Sequence, residues 1–147
     1  MCTQVILFCR FYIIQTLPTI VGDKEMLFEF FQNLISNSIK YHGDDPPEIH
    51  VSFKEENNQY RFSVKDNGIG MSSNHLEMIF TIFQQLHGKD EYECTGICLS
   101  IAQKIVHEHG GQIWVESEPG NGSNFYFTIP ISSDIFKFIY KQIYLLY

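Results

Sequence analysis

Two stretches of strict alternation, Ile49, Val51 and Phe53 and then Tyr60, Phe62 and Val64, stand on either side of the polar residues 55–58. A period of two sends successive side chains to opposite faces of a strand, so the pair predicts a β-hairpin with one buried face. A sheet with one apolar face needs a cover, and the flanking sequence supplies helices. Leu27, Phe30, Phe31, Leu34, Ile35 and Ile39 recur at helical spacing after Gly22 and Asp23, the latter a suitable N-cap. The opposite face of this helix carries Glu29, Asn33, Asn37 and Lys40, and the GDDPP run at 43–47 ends it, because paired prolines cannot continue a helix. Ile97, Ile101, Ala102, Ile105 and Val106 predict a second amphipathic helix, stopped at Gly110–Gly111. Residues 112–118 and 124–129 read as strands joined by a turn over 119–122. Between the halves, residues 72–90 place Leu76, Ile79, Phe80 and Phe83 at helical spacing and predict a helix followed by a mobile segment. The order of elements points to an α/β (α+β) two-layer sandwich, a mixed sheet with helices on one face. A doubly wound fold would alternate single strands with single helices.

Composition narrows the function. Seventeen acidic against ten basic residues leave a net charge of -7, a poor balance for a chain that neutralises a phosphate backbone, so no nucleic-acid partner is expected. A small anionic ligand needs only a local cradle and stays open. The four cysteines, Cys2, Cys9, Cys94 and Cys98, are too few and too scattered for a disulfide scaffold, and a reducing compartment is expected. No uncharged apolar run reaches the roughly 18 residues of a membrane span. The run from Val5 to Ile14 is broken by Arg10 and lacks the basic leader and small-residue cleavage site of a signal peptide. The expectation is a cytoplasmic domain over residues 17–131, with an atypical N-terminal segment at 1–16 and an aromatic C-terminal tail at 132–147. Ile135, Phe138, Ile139, Ile143 and Leu146 have helical periodicity in that tail, which reads equally as a docking helix or as a segment without a selected role.

Three clusters carry chemistry. Asn33, Asn37 and Lys40 share a helical face, with two amides a turn apart and an ammonium one turn on. Amide oxygens suit Mg²⁺, which takes few protein ligands alongside substrate phosphates; the plain alternative is a solvated polar face. Asp66 ends a core-facing row and enters a loop with Gly68 and Gly70. A carboxylate there needs a partner, because burying it unpaired is costly, and it can accept from an exocyclic amine such as that of adenine. The alternative is an ordinary turn. Thr95 and Gly96 open the second helix, where free N–H groups and the helix dipole favour an anion; the alternative is an ordinary capped start.

Taken in order, these clusters resemble the ATP-binding catalytic domain of sensor histidine kinases, within the superfamily of gyrase, chaperone and mismatch-repair ATPases. FQNLISNSIKY at 31–41 is similar to the family's N box, DNGIG at 66–70 to its G1 box and IFTIFQQ at 79–85 to its F box; CTGICL at 94–99 stands where the G2 box belongs. The run from Gly110 through Trp114 and Gly122 to Thr128 is similar to the closing strands, and FQQLHGKDEY at 83–92 resembles the PAS-linked, phytochrome-like branch. The resemblance implies a Bergerat-type ATP-binding fold with ATP and Mg²⁺ as cofactors. It implies that Asn37 coordinates the metal with Asn33 in support, that Lys40 contacts phosphate and that Tyr41 packs near the nucleotide. Asp66 would read the adenine amine, with Gly68 and Gly70 shaping the loop beneath the base. Phe80 and Phe83 would anchor a lid containing Lys89, a phosphate contact, while Thr95, Gly96 and Leu99 complete the nucleotide site. The implied partner is a dimerisation domain bearing the phosphoacceptor histidine, and through it a response regulator.

Two departures set limits on that expectation. Glycine normally stands where this chain has Cys94 and Cys98, and a side chain in left-handed geometry costs about 1–2 kcal/mol. The pair at i, i+4 also leaves a redox pair or metal ligands open, although the spacing is not that of a zinc site. None of His42, His50, His75, His87, His107 and His109 lies in a sequence resembling the acceptor motif, and each reads as a surface or loop histidine. A binding module that regulates a partner kinase without turnover is therefore the second class. A gyrase- or chaperone-type hydrolase is the third, disfavoured because an amide, Asn33, occupies the place of the glutamate base.

Overall fold

The computed structural model describes residues 9–76, 79–80 and 98–131. Five strands form one mixed sheet: β1 (Arg10–Ile13), β2 (Glu48–Glu56), β3 (Gln59–Asp66), β4 (Ile113–Ser117) and β5 (Ser123–Pro130). The spatial order is β1-β2-β3-β5-β4; β1 runs parallel to β2 and every other pairing is antiparallel. Two helices, α1 (Lys24–Lys40) and α2 (Cys98–Glu108), cover one face, and a single 3₁₀ turn spans Ser73–His75. This is the two-layer α/β architecture read from the alternation.

The local causes are plain. Asp23 caps α1 by accepting at Oδ1 from the Glu25 and Met26 N–H groups, each at 3.0 Å. Strands β2 and β3 turn on Asn57 and Asn58, both at positive φ (51° and 59°), the geometry that joins two strands through two residues without splaying them. Helix α2 ends where Gly110 takes φ 78° and the Gly111 N–H reaches the Val106 carbonyl at 3.0 Å.

The alternating rows and the helical stripes meet in one core. Phe30 and Leu34 of α1, Ala102, Ile105 and Val106 of α2, and Ile49, Val51, Phe62, Val64, Phe125, Phe127 and Ile129 of the sheet are all buried. Phe127 is its hub, stacked on Phe62 at 4.8 Å and meeting Phe30 edge-on at 4.6 Å. Edge-to-face and stacked ring pairs add about 0.5–1.5 kcal/mol each beyond their area burial. On the uncovered face Trp114 stacks on Tyr126 at 5.4 Å, and the Arg61 guanidinium lies 5.8 Å from the same ring.

The structure corrects two expectations and limits one alternative. Strand β1 lies inside the segment 1–16 that was set apart from the domain. Its four residues are all exposed, so it joins the sheet through backbone pairing and the Arg10–Glu48 ion pair (3.0 Å) rather than through a buried row. The alternative of a fully solvated polar face on α1 holds only in part: Glu29 is exposed, but Asn33 and Lys40 are half-buried and Asn37 is buried. His109 is not a surface histidine but is buried between the two helices. The helix and mobile segment expected over 72–90 fall outside the described residues, apart from the 3₁₀ turn and its neighbours Leu76, Ile79 and Phe80. The tail at 132–147 also lies outside them. Among the described residues no helix is long and apolar enough to cross a membrane.

Candidate functional site

The site is assembled where the C-terminal half of α1, the end of β3 and the turn between β4 and β5 converge. Asp66, the last residue of β3, is 8% exposed. Its Oδ1 accepts from the Gly68 N–H at 2.9 Å and from the Ser123 N–H at 3.0 Å, and the Ser38 hydroxyl lies 3.2 Å from Oδ2. Burial pushes the carboxyl above its ordinary range, while the bonds from Gly68, Ser123 and Ser38 pull it back. The partner that the sequence demanded is thus three partners, drawn from α1, from the loop and from β5. Oδ1 has both acceptor positions filled. Oδ2 has one donor close by, and an ionised carboxylate oxygen takes two.

The loop that follows is pinned on every side. The Asn67 side chain accepts from the Glu48 N–H at 2.8 Å and donates to the Pro46 carbonyl at 3.0 Å. The Ile69 N–H reaches the Tyr41 carbonyl at 2.9 Å, the Ile69 carbonyl accepts from Gly120 at 2.7 Å, and the Met71 N–H meets Ser117 Oγ at 2.8 Å. Glycine is required here by packing. A Cβ on Gly68 would lie 2.6 Å from the Tyr41 carbonyl oxygen, and Gly70, at φ 68°, would drive one into the Glu118 carbonyl. The loop is therefore held by the chain's own backbone and side chains.

Along α1, Asn37 is buried at 9% exposure, and the side-chain nitrogen of Asn33, one turn earlier, is buried with no hydrogen-bond partner among the described residues. An orphaned amide is costly, and a ligand oxygen or an ordered water would satisfy it. Turned about χ2, the same amide offers oxygen instead. Lys40 Nζ lies 5.9 Å from the Tyr41 ring. Among the described residues no group of three His, Cys, Asp or Glu could hold a metal ion. The donors beside the loop are amides and one ammonium, a set that suits a metal carried largely by phosphate oxygens.

Of the residues expected in the site, the structure brings Asp66, Gly68, Gly70 and the Tyr41 carbonyl into one loop at the C-terminal end of α1, the helix carrying Asn33, Asn37 and Lys40: the Gly68 N–H bonds Asp66, the Ile69 N–H bonds Tyr41, and Gly70 packs on the Glu118 carbonyl. Phe80 and Leu99 are partly buried against the core. Phe83, Lys89, Cys94, Thr95 and Gly96 lie outside the described residues, as does the Cys98 side chain, so neither the cysteine pair nor the anion site at the helix start is described. Ser38 and Ser123 belong to the site and were not singled out by sequence. The only signal for them was the unmet need of Asp66.

A sheet with two helices on one face and a buried aspartate entering a glycine loop define a class, and the chain belongs to it. It is a member of the histidine kinase-, DNA gyrase B- and HSP90-like ATPase family, whose model matches residues 22–133. It is 48% identical over 118 residues to the phytochrome-like protein Cph1 of Synechocystis, covering 80% of this chain and 16% of that protein. The chain thus spans about a sixth of the length of that relative. Among solved structures it is similar to full-length ShkA in complex with AMPPNP (27% identity, TM-score 0.69, 83% of this chain and 25% of that one). It is also similar to the catalytic domain of the histidine kinase ThkA (26% identity, TM-score 0.67, 87% and 88%).

Proposed function

We propose that this domain binds Mg²⁺-ATP and presents the γ-phosphate to a histidine imidazole on a separate dimerisation and phosphoacceptor domain, in two-component signalling. The observation that carries the reading is the buried Asp66 carboxylate, fixed by two backbone N–H groups on Oδ1 and with acceptor capacity left on Oδ2. Such an oxygen selects a donor, and the exocyclic amine of adenine is one. ShkA, similar in structure over 83% of this chain, was solved in complex with AMPPNP, which supports a nucleoside triphosphate as the ligand.

In this reading Asn37 would offer its amide oxygen to Mg²⁺, and the unsatisfied amide nitrogen of Asn33 would donate to an oxygen of the bound metal-nucleotide. Lys40 neutralises phosphate charge, and Tyr41 lies beside the nucleotide. Gly68 and Gly70 form the floor under the base. Phe80, Phe83, Lys89, Thr95, Gly96 and Leu99 complete the site by the resemblance alone. The bound metal and triphosphate supply the leaving group and its charge neutralisation. The residues of the chain contribute position and electrostatic complementarity rather than covalent chemistry. The response regulator is reached only through the phosphoacceptor domain, and a cytoplasmic location follows from that partnership.

A second reading is favoured by the two cysteines in the G2-like stretch: a degenerate module that binds a partner kinase without turnover. Incubating the chain with γ-labelled ATP, with and without an added dimerisation and phosphoacceptor protein, separates the two. The kinase reading expects acid-labile label on the added protein only. Label on neither, with the partner still bound, would favour the module. Steady phosphate release without any acceptor would instead point to a hydrolase.

A further inference from the structure

The Ser38 hydroxyl has one proton and two acceptors in reach, the Leu34 carbonyl at 3.1 Å and Asp66 Oδ2 at 3.2 Å. A serine inside a helix often turns back to the carbonyl four residues earlier. Two facts favour the carboxylate here. The Leu34 carbonyl already takes the i+4 backbone N–H of its own helix, and a charged acceptor makes the stronger bond. Ser38 is 4% exposed and Asp66 8%, so no bulk water competes for the proton. Ser38 is the only side-chain donor to Asp66 among the described residues, the other two donors being backbone N–H groups on the opposite oxygen.

We propose that Ser38 is a specificity-determining positioning residue: by donating to Oδ2 it keeps that oxygen an acceptor, so that the site selects a 6-amino purine over a 6-oxo purine. This rests on the nucleotide reading above and adds a residue to it. The physical reason is hydrogen-bond sense. A carboxylate oxygen that already receives one proton attracts a second donor, the amine, and repels a carbonyl oxygen presented at the same place. Remove the hydroxyl, and the buried oxygen loses the donor that offsets its desolvation. The cheapest replacement is a proton of its own. A protonated carboxyl donates, and it then accommodates the 6-oxo group of inosine or guanosine nucleotides. No charged side chain of the described residues contributes to the protonation balance of Asp66; burial, the two N–H groups and Ser38 do.

The test is calorimetric binding of ATP and of ITP to the full chain, to Ser38→Ala and to Ser38→Thr. The expected result is an ATP-over-ITP preference that falls about tenfold in Ser38→Ala, the scale of one hydrogen bond to a charged group, and returns in Ser38→Thr. A merely structural loss would weaken both nucleotides alike. Equal weakening of both, or an unchanged ratio, would overturn the proposal and assign the proton to Leu34. A second measurement needs no ligand: the carboxyl ¹³C resonance of Asp66 followed against pH should titrate higher in Ser38→Ala than in the unaltered chain, and coincident curves would also overturn it. If the unaltered chain binds neither nucleotide, the functional reading fails instead, and that result is distinct from an unchanged ratio.

Discussion

The backbone N–H of Ser123 donates to Asp66 Oδ1 at 3.0 Å, joining the start of β5 to the end of β3 through a carboxylate that the fold holds away from water. Burial outweighs the hydrogen bonds, so the carboxyl titrates higher in the folded chain than in the unfolded one. The stability it contributes is therefore full below the unfolded value and is lost as pH rises through the folded one. Asp66→Asn removes that dependence and keeps an oxygen for the two N–H groups. At pH 8 the variant should melt higher than the unaltered chain, and the gap should narrow as the pH falls through the carboxylate range. A gap independent of pH would contradict this, as would retained ATP binding in the variant.

His109 closes the opposite end of the helical layer. Its Nε2 accepts the Asp23 N–H at 3.0 Å, which leaves Nδ1 to donate to the Ile105 carbonyl at 2.7 Å. The ring thus ties the end of α2 to the cap of α1. His109→Phe keeps the bulk and leaves that part-buried N–H without its acceptor, at a cost of about 1 kcal/mol. Denaturant unfolding should show the loss, with less of it in His109→Gln, whose amide oxygen still accepts. Equal stability of all three chains would remove the tie from the account.

Gly70 is held at φ 68° against the Glu118 carbonyl. Gly70→Ala should cost about 1–2 kcal/mol for the left-handed backbone alone, with more for the displaced turn. That corresponds to a melting point lower by about 5 °C or more for a domain of this size. Thermal melts check the fold and nucleotide titration checks the site; both should suffer, since one loop serves both.

Cys94 and Cys98 stand where the resembling family has glycine. Replacing both with glycine should strengthen ATP binding by about tenfold, the equivalent of one relieved left-handed residue. Calorimetry on the double variant is the check, and unchanged affinity would show that these positions make no demand on backbone geometry.

Most of the scaffold was legible because it is periodic. The alternating rows of β2, β3 and β5 and the stripe of α2 point into the core as their spacing predicts, and Asp23 and Gly110 mark helix ends by chemistry that is local in sequence. What was not legible is what lacks a period or acts at a distance. Strand β1 buries nothing, so no alternation announces it. Asn37 is polar and buried while Phe28 is apolar and 69% exposed, so residue type alone does not report burial along α1. Ser38 and Ser123 reach Asp66 across 28 and 57 residues of chain, and small hydroxyl residues leave no pattern from which such a meeting can be read. His109 sits beside Asp23 across 86 residues for the same reason.

In the proposed function Asn37 and Asp66 serve one Mg²⁺-nucleotide. Isothermal titration of ATP into the unaltered chain and into Asn37→Ala, each with and without Mg²⁺, tests it most directly. Saturable binding that Mg²⁺ strengthens is expected in the unaltered chain, and loss of that metal-dependent increment in the variant. No heat of binding at millimolar ATP, or a Mg²⁺ increment that survives the loss of Asn37, would contradict it.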